Sequence, residues 1–163
     1  MTHSILSRRA ALAWLAGGAA LTTLAACGSQ AQAATFKVTL TDAQWRSRLS
    51  PAAYQTLRHE ATEAPFTSPL DKEKRRGTFL CAGCDNELFD SATKFDSRTG
   101  WPSFYRPLTR AIGTKTDFKL GYPRTEVHCA DCGGHLGHVF EDGPRPTGLR
   151  YCMNGVAMKF RPA

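Results

Sequence analysis

The sequence predicts a mainly β domain of two sheets behind a small helical N-terminal part. From Thr78 onward, short strand-like runs alternate with Gly and Pro clusters such as Gly143-Pro144-Arg145-Pro146. Helix-start signals stand upstream, at Thr41 and Ser50. Two C-x-x-C knuckles, far apart in the chain, require the segment between them to fold with its ends together. A chain of 163 residues with 42% hydrophobic content can bury one sizeable core, and there is no internal repeat beyond the knuckles.

Residues 7 to 27, SRRAALAWLAGGAALTTLAAC, carry a positive start and an apolar run broken by Gly17 and Gly18, the layout of an export signal. A spanning helix needs about 20 apolar residues without such a break. Arg8 and Arg9 resemble a twin-arginine signal, although Ala11 and Ala13 stand where that pattern prefers a large apolar residue and a lysine. Leu24-Ala25-Ala26-Cys27 resembles a bacterial lipobox, while Ala31-Gln32-Ala33 fits cleavage before Ala34. The expectation is a signal over 1–26, a lipid on Cys27, a linker over 27–40 and a periplasmic, membrane-anchored domain over 41–163. The formal charge of +7 includes Arg8 and Arg9. The other cations are scattered apart from Lys72, Lys74, Arg75 and Arg76, which read as a solvated connector, so the basic stripe of a nucleic-acid binder is missing.

Thr41-Asp42-Ala43-Gln44 reads as a capping box, and Ser50-Pro51 as an N-cap and first helical position before AAYQTLRH. Pro65 and Pro69 end the helical part, and Asp71 to Gly77 forms a polar connector. Strands are expected over Thr78 to Cys81, Glu87 to Phe89, the Phe104 region, Ala111 to Lys119, Arg124 to Cys129, Leu136 to Phe140 and Leu149 to Phe160.

Cys81-Ala82-Gly83-Cys84 and Cys129-Ala130-Asp131-Cys132-Gly133 each let two thiolates face one ion from a tight turn, and the glycines let the backbone curl toward the sulfurs. Cys81, Cys84, Cys129 and Cys132 together suit a closed, structural zinc site with no open position for a substrate. The gap between the knuckles exceeds that of an ordinary zinc ribbon. Paired redox sites or two disulfides are the competing reading, which an oxidising compartment favours.

One cysteine is left over in the mature domain: Cys152, in GLRYCMN. Side chains alternate along a strand, so Arg150, Cys152 and Asn154 share a face, and Val156, Met158 and Phe160 continue it if the register holds past Gly155. A cation two residues away can lower the thiol pKa. Free cysteine is also among the most buried residue types, which is the bland alternative.

GTFLCAGC, TKFDSRTGWPSF, RTEVHCADCGGHLGHVFEDGPRPTGLRYCMN and the terminal KF together resemble methionine-R-sulfoxide reductases of the B type, over roughly Thr41 to Phe160. The resemblance implies two antiparallel sheets, tent-like, with zinc on the four knuckle cysteines and the catalytic thiol on Cys152. It implies His135 and His138 as acid and hydrogen-bond donors around the sulfoxide oxygen, and Arg150 and Asn154 as groups that orient the site and favour the thiolate. Asp142 is expected to order Arg150 or a histidine, and Trp101 to wall the S-methyl group, with Phe104 as core. His59 and His128 have no such match and read as surface or structural.

Chemically, sulfoxide reduction needs a soft nucleophile, an acid for the departing oxygen and an apolar wall; Cys152 would end as a sulfenic acid. Many relatives carry a resolving cysteine where this chain has Thr99, in Ser97-Arg98-Thr99-Gly100-Trp101. The expected reductant is therefore an external thiol, such as a thioredoxin-like protein, and the expected substrate oxidised methionine in peptides or proteins. Three alternatives stand beside this reading: a second metal site at His135 and His138, a non-catalytic zinc-ribbon-like binding module, and a cysteine hydrolase, for which no oxyanion-hole signature is evident.

Overall fold

The computed structural model describes residues 35–163; the expected signal, Cys27 and the Ala31–Ala33 cleavage site lie outside the described residues. The first elements of the described residues are two short helices whose starts are set by side-chain caps. At α1 (Asp42–Arg48) the Thr41 hydroxyl accepts from the Gln44 amide at 3.3 Å, and the Gln44 side chain accepts from the Thr41 amide at 2.9 Å. At α2 (Pro51–His59) Ser50 accepts from the Ala53 amide, and Pro51 fills the first position, where no N–H is needed. Trp45, Leu49, Tyr54 and Leu57 are buried. Through them the helices close one end of the core.

Nine strands follow: β1 (Gly77–Cys81), β2 (Glu87–Asp90), β3 (Lys94–Phe95), β4 (Ser103–Phe104), β5 (Ile112–Asp117), β6 (Arg124–Cys129), β7 (His135–Phe140), β8 (Arg150–Met153) and β9 (Met158–Pro162). They form two antiparallel sheets, β2-β1-β9 and β3-β4-β8-β7-β6-β5. The mainly β, two-sheet class expected from the sequence is the class observed. An aromatic cluster joins the sheets: Phe104 of β4 stacks on Phe89 of β2 at 4.3 Å between centroids and meets Phe79 of β1 edge-on at 4.8 Å. All three rings are fully buried, and each such burial stabilises the fold by about 1.5–3 kcal/mol.

Three elements differ from the sequence expectation. The run Leu149 to Phe160 is two strands in different sheets, β8 in the large one and β9 in the small one, with a 3-10 turn over Gly155–Ala157 between them. The Glu63 carboxylate accepts from the Gly155 and Val156 amides there, which turns the chain out of the large sheet. The face alternation from Cys152 therefore does not continue to Val156, Met158 and Phe160. Secondly, β5 stops at Asp117, because that carboxylate accepts from the Lys119 amide at 2.7 Å and starts a turn. Thirdly, β3 is a two-residue strand that the sequence reading did not include.

The stretch expected as the end of the linker lies on the domain. The Val38 amide donates to the Asp131 carbonyl at 2.8 Å, and Val38 and Leu40 pack against the core. No helix among the described residues is long and apolar enough to cross a membrane.

Candidate active site

The four knuckle sulfurs converge where β1 of the small sheet and β6 of the large sheet end. All lie within 4.8 Å of one another, with Cys81 to Cys132 at 3.7 Å and Cys84 to Cys129 at 3.5 Å. A zinc ion with sulfur ligands at about 2.3 Å in tetrahedral geometry requires S···S separations of about 3.8 Å, so the cluster fits such an ion. A disulfide requires about 2.05 Å, and none of the five described cysteines is bridged. The competing reading of two disulfides is thus not what the fold holds.

Both knuckles curl in one way: the amides of Asp85 and Gly133 donate back to the carbonyls of Cys81 and Cys129 at 2.9 Å, and both residues have positive φ. In the first knuckle the left-handed position is therefore Asp85, not Gly83. Gly83 is small for another reason: a Cβ there would meet the Trp45 ring at 3.3 Å. Crowding also spreads the acidities of the thiols. Hydrogen bonding with Cys129 pushes Cys81 up, whereas hydrogen bonds from Cys132 and Cys81 pull Cys129 down. A cation would let all four ionise together. Behind them, the Asn86 amide donates to the Cys129 sulfur at 3.5 Å and to the Ala111 carbonyl at 2.9 Å, which orients the ligand group.

Cys152 lies in the large sheet between β4 and β7, directly opposite Ser103 on one side and His138 on the other. Directly paired residues project to the same face, so these three side chains share one face of the sheet. The face opens into a cavity of about 150 Å³ lined by Thr62, Trp101, Arg124, His138, Phe140 and Cys152, with Gly137 and Asn154. Trp101 and Phe140 are the aromatic side chains of its lining, and Thr62, Arg124, His138 and Asn154 the polar ones.

The two histidines are brought together by a bulge. Strict alternation would place residues three apart on opposite faces. The β6–β7 register shifts between Val127 and His128, so that Glu126 faces His138 and His128 faces His135. The extra residue at Leu136 turns His135 back toward His138, with ring centroids 5.4 Å apart. His135 Nδ1 donates to the Glu126 carboxylate at 2.9 Å, and its buried Nε2 has no partner among the described residues. His138 Nε2 donates to Asp117 at 2.8 Å, and Arg124 also donates to that carboxylate. Each ring thus spends one N–H on a carboxylate and keeps its other nitrogen for a ligand. Burial lowers the His138 pKa, against the pull of Asp117. Burial pushes Glu126 upward, but its bonds to His135 and Lys115 outweigh it and hold the carboxyl below its usual range.

Arg150 holds Asp142 through two parallel hydrogen bonds of 2.8 Å and lies over the Phe140 ring at 4.5 Å. Asp142 therefore meets Arg150, and the histidines are met by Glu126 and Asp117. Asn154 is buried; its Nδ2 donates to the Leu136 carbonyl and its Oδ1 accepts from the Glu63 amide. The Trp101 indole donates to the Glu63 carbonyl at 3.2 Å. The sequence expectation of a lowered Cys152 pKa is corrected: burial pushes the thiol up, against the combined pull of Thr99, Arg150 and Ser103. Arg150 shares its charge with Asp142, which weakens its effect on the sulfur.

Of the residues expected at the site, Cys152, His138, Asn154 and Trp101 line this cavity, His135 lines a neighbouring one that shares His138, and Arg150 and Asp142 line neither but pair with each other, with Arg150 over the Phe140 ring. Residues that sequence reasoning missed are Glu63, Asp117, Arg124, Glu126 and Phe140. Phe140 follows His138 by two and was open to the alternation argument. Asp117 and Arg124 meet only through the β5–β6 register, which the sequence does not display. Of the two unmatched histidines, His59 meets the Tyr54 hydroxyl at 2.8 Å, and His128 is half-buried beside Phe36. Phe104 is core, as expected.

Residues 49–162 match the SelR domain family. The chain is 53% identical over 127 residues to the peptide methionine sulfoxide reductase MsrB of Bradyrhizobium diazoefficiens, which covers 77% of this chain and 91% of that one. It is 54% identical over 127 residues to the enzyme of the same name from Pseudomonas putida, covering 77% and 96%. The chloroplastic peptide methionine sulfoxide reductase B1 of Arabidopsis thaliana is 50% identical over 121 residues, or 74% of this chain and 60% of that one. By these matches the chain belongs with the oxidoreductases that act on methionine sulfoxide. The chain is a member of the peptide methionine sulfoxide reductase B family.

Proposed function

We propose that the domain reduces methionine-R-sulfoxide, in peptides and proteins and also as the free amino acid, with Cys152 as nucleophile. The observation that supports this most is the Cys152 thiol at the floor of a cavity that pairs the Trp101 and Phe140 walls with His138. The thiolate attacks the sulfoxide sulfur while a protonated histidine donates to the oxygen. The S–O bond breaks, the oxygen and that proton end on Cys152 as a sulfenic acid, and methionine leaves as the thioether. Cys152 is oxidised by two electrons and the substrate sulfur reduced by two.

Asp117 and Glu126 orient His138 and His135, and the Arg150–Asp142 pair and Asn154 fix the strand end around the thiol. Trp101 takes the S-methyl group. The four knuckle thiolates would hold zinc, which ties the two sheets together and takes no part in the chemistry.

With Thr99 at the family's resolver position, an external dithiol regenerates the enzyme, a thioredoxin-like protein being the partner we infer. Its first thiol attacks the sulfenic sulfur and releases water; its second breaks the mixed disulfide and frees Cys152. The leader resemblances support export, lipid attachment at Cys27 and a role in repairing exported proteins. A mature domain incubated with racemic methionine sulfoxide and dithiothreitol should consume one epimer only, and Cys152→Ser should abolish the loss. Turnover that survives the substitution, or tight peptide binding without turnover, would replace this reading with another.

A further inference from the structure

The resolver position is not simply vacated: it starts a chain of hydroxyls. Thr99 Oγ1 lies 3.8 Å from the Cys152 sulfur, and Ser97 Oγ lies 2.8 Å from Thr99 Oγ1. Ser97 is in turn 2.7 Å from Ser103 Oγ, which donates to the Trp101 carbonyl at 3.1 Å. Ser103 is fully buried and sits directly opposite Cys152 in the β4–β8 ladder. Three hydroxyls thus connect the sulfur to the backbone of the residue that walls the cavity.

A hydroxyl has one hydrogen to give and two lone pairs to receive with, so the direction of such a chain is set as a whole. With Ser103 donating to the Trp101 carbonyl, Ser97 donates to Ser103 and Thr99 donates to Ser97. Only a lone pair of Thr99 then faces Cys152, which suits the neutral S–H. If every hydroxyl turns, Ser103 donates to Ser97, Ser97 to Thr99 and Thr99 to the sulfur, at the cost of the bond to the Trp101 carbonyl. That second arrangement suits a sulfur that carries negative charge, because a hydrogen bond to an ionised acceptor is roughly twice as strong as a neutral one.

We propose that Thr99, Ser97 and Ser103 are positioning residues for Cys152, a reversible hydroxyl chain that gives the sulfur a hydrogen-bond donor when it ionises. The proposal rests on Cys152 being the nucleophile. Burial pushes the thiol up, and Thr99 is the first of the groups opposing that push, followed by Arg150 and Ser103. Among the described residues the charged and titratable groups around the sulfur are Arg150 on its own strand, His138 on β7 and Arg124 on β6, with Asp117 of β5 behind the last two, and no carboxylate of theirs lines the cavity. Arg150 is committed to Asp142 and His138 to Asp117. Arg150 also reaches the sulfur while it holds Asp142, and the hydroxyl chain adds a second short-range donor that can turn toward the sulfur or away from it; Thr99 accordingly does at this position something a resolving thiol would not.

The test is the pH dependence of Cys152 alkylation by iodoacetamide in the zinc-loaded protein, read at the Cys152 peptide by mass spectrometry. Thr99→Val, which keeps the shape and loses the hydroxyl, should slow alkylation at pH 7 about fivefold and move the midpoint to higher pH, while Thr99→Ser should follow the parent curve. Ser97→Ala should shift in the same direction by less, and it serves as the reporter if Thr99→Val fails to fold. An unshifted midpoint in Thr99→Val and Ser97→Ala, or equal shifts in Thr99→Val and Thr99→Ser, would overturn the proposal. Alkylation does not require turnover, so persistence of reductase activity in Cys152→Ser would defeat the functional reading separately.

Discussion

His138 and Cys152 are direct cross-strand partners between β7 and β8, so the imidazole and the thiol that we propose as acid and nucleophile are held in register by the backbone ladder rather than by a loop. The Asp117 carboxylate, from β5, fixes the far nitrogen of His138 at 2.8 Å. Three strands therefore determine where one imidazole points.

Asp117 is the largest upward influence on His138 against the burial that lowers it. Asp117→Asn removes that influence, so the imidazole holds a proton less readily and the acid form is scarcer at pH 7. The expected result is a fall in kcat of about 10- to 100-fold, with the high-pH limb of the rate profile displaced to lower pH. A profile identical in position to the parent would show that Asp117 does not set the proton on His138.

His128 and His138 both have pKa values lowered by burial. Each takes up a proton more readily in the unfolded chain, so acid favours unfolding: stability is full above the unfolded value of about 6.5 and is lost as the pH falls from there toward the folded values. Thermal melting should therefore show Tm falling between pH 7 and pH 5, and His128→Gln should flatten that fall without lowering the rate of turnover.

Glu63 is central to the turn that separates β8 from β9. Its carboxylate takes two amides, its carbonyl takes the Trp101 indole and its amide reaches Asn154. Glu63→Ala leaves the two amides of the turn without their acceptor and should cost about 1–3 kcal/mol in urea unfolding. Because Trp101 and Asn154 lose a rigid neighbour, kcat/KM should fall more than this stability loss alone would cause at 25 °C.

Cys84 and Cys129 meet across the two knuckles, and through them the two sheets. Cys129→Ser should reduce bound zinc to well under one equivalent by elemental analysis and destabilise the fold by on the order of 4 kcal/mol. Parent protein containing no metal after refolding with zinc present would refute a structural ion at this cluster.

The sequence displayed what rests on local chemistry. Thr41 with Gln44 and Ser50 with Pro51 carry helix starts within four residues, and the knuckles carry their spacing within the motif. The grouping of Cys152 with Arg150 followed from alternation inside one strand. What it did not display depends on pairing between distant segments. The His135–His138 approach requires the bulge at Leu136, and the Asp117–Arg124 contact requires the β5–β6 register. The break after Cys152 requires a carboxylate from Glu63, far upstream. The acidity of Cys152 was misjudged for a related reason: the charge of Arg150 is visible in sequence, but burial and the Asp142 partner are properties of the fold.

Cys152 is proposed to act as nucleophile without an internal resolving thiol. Zinc-loaded enzyme should be mixed with one equivalent of methionine-R-sulfoxide in the absence of reductant, and then analysed by dimedone trapping and intact mass spectrometry. The expected result is one methionine per enzyme, a dimedone adduct confined to Cys152 and no intramolecular disulfide. Methionine formed with Cys152 unmodified, or with Cys152 bridged to another cysteine of the chain, would contradict it.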